Sequence, residues 1–307
     1  MFKSAAVFIA ALAVAASAHA ATPRDSLLVK SDWLAQHASD ANLVILHSGS
    51  PADYAAGHIP GARLVPQGGL AAAPAASGGL TLELPTAADL RTQLQDLGVS
   101  DNSRVVIYAA GNQIPAATRL VYTLDAAGFG DRVSLLDGGL AEWKKTGHAT
   151  STEATPAHAG VLGPITLQPR SVDADFVRGH LQAPGYTVVD ARASNFYDGS
   201  QAGSAQGANP KKGHIPGAKS VPFSSVTTLD ADLKSADELA AVFASAGVKT
   251  GDHVMVYCHV GQQATAVLFA ARTLGIDAKL YDGSFQDWSA RDLPVENPSA
   301  GAAPAAQ

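Results

Sequence analysis

The chain has a single cysteine, Cys258, in 307 residues. A lone cysteine excludes an internal disulfide framework, so the fold must rest on packing. It leaves two roles for the thiol: an inert small core residue or a free group with chemistry. Basic residues are also scarce, 21 Lys and Arg against 27 Asp and Glu, for a net charge of −6. That balance excludes bulk nucleic-acid binding, and any anionic substrate needs a local positive site set against the overall field. Past the N-terminal residues no apolar run is long enough to span a bilayer.

The first residues read as an export signal. Lys3 supplies a positive start, an apolar run extends from Ala5 to Ala16, and Ala18-His19-Ala20 fits a small-x-small cleavage site. The run is too short for a transmembrane helix. Residues 1–20 are therefore expected to be removed after Ala20, leaving a periplasmic or secreted protein that does not insert into the membrane. The chain is 47% hydrophobic, ordinary for packed cores, and its length predicts about two domains.

The two halves carry the same landmarks in the same order. Gly57-His58-Ile59-Pro60-Gly61-Ala62 returns as Gly213-His214-Ile215-Pro216-Gly217-Ala218. The β-type run Arg104 to Tyr108 returns as His253 to Tyr257. Helix-like stretches follow, Ala117 to Ala127 and Ala264 to Leu274. Each half closes on a related phrase, Leu136-Asp137-Gly138-Gly139 through Trp143 and Tyr281-Asp282-Gly283-Ser284 through Trp288. A period this long means two whole domains rather than a solenoid. Strand–helix alternation predicts α/β domains with parallel sheets. Further strand and helix patterns lie at Thr187 to Asp190 and Asp237 to Ala246, with Gly247 and Gly275 where helix C-caps belong. The expected layout is a first domain over 22–149, a linker over 150–168, a second domain over 169–294, and a disordered Ala/Pro-rich tail over 295–307. Residues 67–79 are expected as a surface loop.

Cys258 ends an apolar strand and precedes His259-Val260-Gly261-Gln262-Gln263, with a helix from about Ala264. In open α/β sheets, ligands bind at the carboxyl ends of strands. A thiol there faces the N-terminus of the next helix, where loop amides bind anions, and the thiolate is the nucleophile. Gly261 lets the loop curl. In the first half Ala109 stands where Cys258 stands, so that half has no nucleophile and is expected to be structural.

These phrases resemble the rhodanese family. Tyr54 through Ala62 is similar to its N-terminal signature and Tyr281 through Trp288 to its C-terminal one. A cysteine in the second copy alone is the pattern of tandem-domain thiosulfate and 3-mercaptopyruvate sulfurtransferases. The resemblance implies two mainly parallel sheets flanked by helices and ping-pong transfer of a sulfane sulfur. The route runs from a small anionic donor, thiosulfate first and 3-mercaptopyruvate second, through a Cys258 persulfide to cyanide or a thiol. No cofactor is implied. Arg192, in Asp190-Ala191-Arg192, takes the family's donor-binding role, and the amides of His259, Val260, Gly261, Gln262 and Gln263 take the persulfide cradle.

The loop departs from the family where thiosulfate-type members often carry Arg and Lys after the cysteine and mercaptopyruvate-type members Gly and Ser. His259 and Val260 stand there instead. Partial compensation is expected from protonated His259 or from Lys211, Lys212 and Lys219, and the insertion 194–210 is a candidate flap. His58 and His214 recur in both halves, one of them without the cysteine. This points to structural hydrogen bonds rather than metal ligation, and the spacing of a zinc site is absent. Trp143 and Trp288 read as core anchors. A cysteine phosphatase, which shares this fold, needs an arginine closing the loop to clamp phosphate; Ala264 stands there. The remaining alternatives are a persulfide carrier or redox sensor using the same cysteine, and an inactive binding module. Two packed domains are expected to suffice as a monomer.

Overall fold

The computed structural model describes residues 22–73, 79–156, 158–203, 211–228 and 232–300. The expected signal segment lies outside the described residues, and among the described residues no helix is long and apolar enough to cross a membrane.

Two five-stranded sheets form. The first contains β1 (Leu28–Val29), β2 (Leu43–Ser48), β3 (Arg63–Val65), β4 (Arg104–Ala109) and β5 (Val133–Leu136), in the order β1-β5-β4-β2-β3. The second contains β6 (Ser171–Val172), β7 (Tyr186–Asp190), β8 (Lys219–Ser220), β9 (His253–Tyr257) and β10 (Ala278–Tyr281), in the order β6-β10-β9-β7-β8. Adding five to each label of the first order gives the second, so the duplication read from the landmarks is a duplication of topology. All pairings are parallel. The central strands are continuous apolar runs because both faces of each sheet are covered.

A single apolar cluster runs through both domains, with smaller clusters on the outer face of each sheet. The shared core is built on the helices Ile114–Leu124 and Gln262–Thr273. The first buries every residue but Pro115, as a helix enclosed on all sides must. Thr118 Oγ1 and Thr265 Oγ1, 147 positions apart at matching places in the two copies, meet at 3.0 Å across the interface. The helix expected over Ala117 to Ala127 starts and stops earlier; Gly128, at φ +92°, turns the chain into β5. The helix Ala236–Ser245 and the left-handed C-caps Gly247 and Gly275 lie where the pattern placed them.

Three segments read as irregular are tied down. The connecting stretch packs along the first domain: Leu162 is buried, and the Gly160 amide donates to the Gln95 carbonyl at 2.7 Å. In the loop expected over 67–79, Leu70 is buried and the Ala72 amide donates to the Glu83 carbonyl; residues 74–78 lie outside the described residues. The disordered tail needs correction over 295–300. Glu296 pairs with the His214 backbone in a short antiparallel bridge, and the Ser299 amide donates to the Asp198 carbonyl. Composition signalled disorder there, but specific backbone partners hold it. Residues 301–307 lie outside the described residues.

Each repeated histidine does the structural work expected. His58 stacks on Tyr54 at 3.7 Å, and its ring nitrogens meet the Tyr54 and Glu153 carbonyls. His214 stacks on Tyr197 at 3.8 Å and meets the Tyr197 carbonyl and the Glu296 carboxylate. Both rings are buried and pin the strand that leaves the last helix. Trp143 and Trp288 are buried anchors whose indole N–H groups reach the carbonyls of Ala149 and Pro294.

Candidate active site

Cys258 directly follows β9, the middle strand of the second sheet. The loops leaving β7 and β10 flank it, because those strands are the neighbours of β9. The thiol is free and only 1% exposed. The helix begins at Gln262, two residues before the expected Ala264, so the loop is only His259-Val260-Gly261. Gly261 has φ +78°, a conformation open to glycine at little cost.

The loop's carbonyls are held from outside. Phe285 N–H donates to the Cys258 carbonyl and Gln286 N–H to the His259 carbonyl, each at 3.0 Å. Both donors belong to the first turn of the helix Ser284–Ala290, whose amides have no partner within the helix. Arg119 Nη1, from the other domain, donates to the Gly261 carbonyl at 3.4 Å. In a planar trans peptide the C=O and the following N–H point opposite ways. The amides of His259, Val260 and Gln262 therefore face the inner side of the loop. None of the amides of residues 259–263 donates to a protein acceptor among the described residues. Unpaired N–H groups of this loop, three of them turned to its inner side, form a site suited to a negative sulfur.

Arg192 is 1% exposed and lies in the loop after β7. Its Nε donates to Asp190 Oδ1 at 2.9 Å, and its Nη2 to Asp190 Oδ2 at 2.6 Å and the Gly213 carbonyl at 2.7 Å. The guanidinium carbon sits 4.0 Å from the Phe285 ring centroid. Burial alone lowers such a group, but the Asp190 hydrogen bonds and charge outweigh it and keep Arg192 protonated. Cys258 is close enough to contribute to its electrostatics. Nη1 has no hydrogen-bond partner among the described residues, so one edge of the fork remains open. Asp190 also accepts from Tyr257 Oη at 2.7 Å, and Tyr257 Oη accepts from the Ile215 amide.

The expected sources of extra positive charge are not supplied. Burial, then the Arg192 charge, pushes the His259 imidazole down to about 4, so it is neutral at pH 7. Phe196 meets its ring edge-on at 4.6 Å, and a Cβ on Gly203 would lie 3.0 Å from its Nδ1. Lys211 is engaged by the Leu293 carbonyl at 2.6 Å and Asp292 at 2.8 Å. Lys212 and Lys219 point to solvent. The helix Ser194–Tyr197 matches Pro51–Ala56 of the first domain, so the extra residues of the insertion begin after Tyr197. Tyr197 and His214 are 17 positions apart, against 4 for Tyr54 and His58. Residues 204–210 lie outside the described residues.

Sequence reasoning missed the interdomain clamp. Arg119 is buried and pairs with Asp282 at 2.5 Å, while its Nη2 donates to the Leu82 carbonyl. The strap 79–85 of the first domain adds the Leu84 amide on Asp282 at 3.0 Å and the Thr81 amide on Gln286 at 2.9 Å. The sequence signal was the Asp-Gly phrase repeated in both halves, without any sign of its partner.

The first domain lacks this constellation as a set. His47 occupies the register position of Asp190 and bonds Tyr108 Oη at 2.8 Å. Gly49 stands at the place of Arg192, and Ala109 follows Tyr108 where Cys258 follows Tyr257.

The profile of the Rhodanese-like domain family matches residues 30–146 and 173–291. The 3-mercaptopyruvate sulfurtransferase of Escherichia coli is 31% identical over 280 residues, covering 87% of this chain and 97% of that protein. The thiosulfate sulfurtransferase of Rattus norvegicus is 30% identical over 220 residues, covering 71% of this chain and 73% of that protein. The crystal structure of the Escherichia coli enzyme superposes with a TM-score of 0.73 at 28% identity, covering 84% of this chain and 98% of that one. The anaerobic ergothioneine biosynthesis enzyme from Chlorobium limicola shares the fold, with a TM-score of 0.78 at 23% identity, covering 89% of this chain and 71% of that one. The chain belongs to the rhodanese family, as a tandem of two rhodanese-like domains with a cysteine in the second alone.

Proposed function

We propose that this protein is a sulfurtransferase in which Cys258 carries the sulfur as a persulfide. The observation that carries the reading is the buried thiol at the head of a loop whose next five amides have no protein acceptor among the described residues, with Arg192 close enough to feel its charge. Relatives 30–31% identical bear the names thiosulfate and 3-mercaptopyruvate sulfurtransferase, which supports it. The Cys258 thiolate attacks the donor's terminal sulfur. The bond from that sulfur to the rest of the donor breaks, and its electron pair leaves with the donor fragment, as sulfite from thiosulfate or the enolate of pyruvate from 3-mercaptopyruvate. The amides of residues 259–263 hold the persulfide anion, and Arg192 Nη1 orients the donor's anionic group. A thiophilic acceptor, cyanide or a thiol, then attacks the outer sulfur; the S–S bond breaks and the Cys258 thiolate returns.

Charge distinguishes the donors. With His259 neutral and Lys211 engaged elsewhere, this reading leaves the unpaired Nη1 of Arg192 as the cationic contact for the donor. A single guanidinium edge matches the monoanionic 3-mercaptopyruvate better than the thiosulfate dianion. We therefore place 3-mercaptopyruvate first, reversing the order drawn from sequence, with thiosulfate second. The periplasmic or secreted location, with removal of residues 1–20, and the monomeric state belong to the same proposal; cell fractionation and light scattering test them.

The test is the intact mass of the purified protein after each donor and then after cyanide. A gain of one sulfur atom that cyanide removes, absent in Cys258→Ser, is the expected result. Sulfur uptake by the Ser variant, or none by the wild type from either donor, would overturn the assignment. Loading that needs a protein acceptor for release would favour a carrier over an enzyme.

A further inference from the structure

The domain without a nucleophile reaches into the site of the other. Arg119 lies on the interface helix Ile114–Leu124, and its guanidinium spans three groups. These are the Asp282 carboxylate at 2.5 Å, the Gly261 carbonyl at 3.4 Å and the Leu82 carbonyl. The side chain is 5% exposed, so this fork is fixed in place by its surroundings. A Cβ on Gly261 would come within 2.9 Å of Arg119 Nη1 and of the Asp282 carbonyl, which shows how closely the loop is seated against the clamp.

The arrangement is one-sided. Thr118 and Thr265 mark matching positions of the two interface helices, so Arg119 corresponds to Ala266. The second domain thus sends no arginine back to the first domain's loop. Asp137, the counterpart of Asp282, pairs instead with the exposed Lys30. If Arg119 served only to join two similar domains, the duplicated interface offered the same bond twice. It occurs once, at the end that has the cysteine.

We infer that Arg119 is a positioning residue for the Cys258 loop, acting by holding the Gly261 carbonyl toward the interface so that the Gln262 amide faces the sulfur. This inference rests on the persulfide role of Cys258. The planar peptide supplies the lever, since the Gly261 C=O and the Gln262 N–H are fixed antiparallel. Phe285 and Gln286 set the Cys258–His259 and His259–Val260 peptides in the same way from within the second domain. The Gly261–Gln262 peptide depends on the first domain, so this part of the cradle is set only when the two domains are docked. Arg119 touches neither donor nor sulfur and has no part in the bond changes.

The experiment uses the full chain with Arg119→Lys and Arg119→Met. Lysine keeps the buried charge opposite Asp282, but as a point charge it cannot span Asp282, Gly261 and Leu82 together. The first readout needs no sulfur donor: the rate of Cys258 alkylation by iodoacetamide at pH 7, in variants shown to be folded by thermal unfolding. It is expected to change by about tenfold, the effect of one lost hydrogen bond to a charged group. The second readout is donor turnover, where kcat should fall by a similar factor while KM stays within about twofold, because Arg192 still meets the donor. A folded Arg119→Lys protein with wild-type alkylation and kcat would overturn the inference. So would the failure of both variants to fold, which would assign Arg119 to the interface alone. Absence of turnover in the wild type would instead count against the persulfide reading, and the alkylation rates would still decide the role of Arg119.

Discussion

Asp190→Asn removes the charge that balances Arg192 while keeping a side chain of the same size. Arg192 is 1% exposed and Asp190 fully buried. The carboxylate accepts from Arg192 Nε and Nη2, from the Arg192 amide and from Tyr257 Oη. Breaking a buried pair from one side leaves the other charge uncompensated, at a cost of about 3–5 kcal/mol. Each kcal/mol corresponds to about 2–4 °C in midpoint for proteins of somewhat smaller size. The expected fall is therefore about 6–20 °C, read by calorimetry and by urea unfolding. His47→Asn at the matching place in the first domain strands no charge and loses one hydrogen bond to Tyr108. It should cost only about 1–2 kcal/mol. A fall below about 2 °C for Asp190→Asn, the size expected of a solvent-screened pair, would refute the picture of Arg192 as a desolvated cation. Sulfur loading should fall as well, since the open Nη1 edge is aimed by the same carboxylate.

Gly261→Ala forces a left-handed φ on alanine, about 1–2 kcal/mol, and drives Cβ toward Arg119; chemical denaturation should show that modest loss, with a larger drop in kcat. Burial holds the His47 imidazole down to about 4, below the ordinary value of about 6.5 in the unfolded chain. The unfolded state therefore takes the proton first, and stability should decline as pH falls from about 6.5 to about 4. His47→Gln should flatten that slope, and an unchanged slope would exclude His47 as its source. Glu83 has the opposite sign: burial, then the charge of Asp282, raises its carboxyl to about 7. The native state keeps this proton while the unfolded one loses it from about 4.5, so stability falls as pH rises through 4.5 to 7 and is lowest above that window. Glu83→Gln should raise the midpoint at pH 8 and leave it nearly unchanged at pH 4; equal effects at both would show that Glu83 titrates normally.

The duplicated architecture was legible because it depends on local order. Apolar runs, caps and the His-Ile-Pro-Gly phrases recur in one sequence, and each encodes a strand, a helix end or a turn through its immediate neighbours. The position of Cys258 was legible for the same reason, since a cysteine that ends a buried strand and precedes a helix is placed by backbone geometry alone. His58 and His214 were read correctly because repetition without the cysteine separates structure from chemistry. The charge state of His259 was not legible. It depends on burial and on the Arg192 cation, which lies 67 residues earlier in the chain. The order of residues 295–300 also depends on distant partners, and composition misled there.

The sequence by itself determined the two α/β domains, their repeated succession of strands and helices along the chain, and the single thiol at a strand end, because these follow from periodicity and short-range backbone preferences. Only the tertiary structure decided that the domains share a core, that Asp190 holds Arg192 with one edge open, and that Arg119 reaches across the interface to the Cys258 loop. Those contacts join residues from different strands and different domains. Nothing in the local sequence around Arg119 records Asp282, because the two meet only after both sheets have formed and their interface helices have packed.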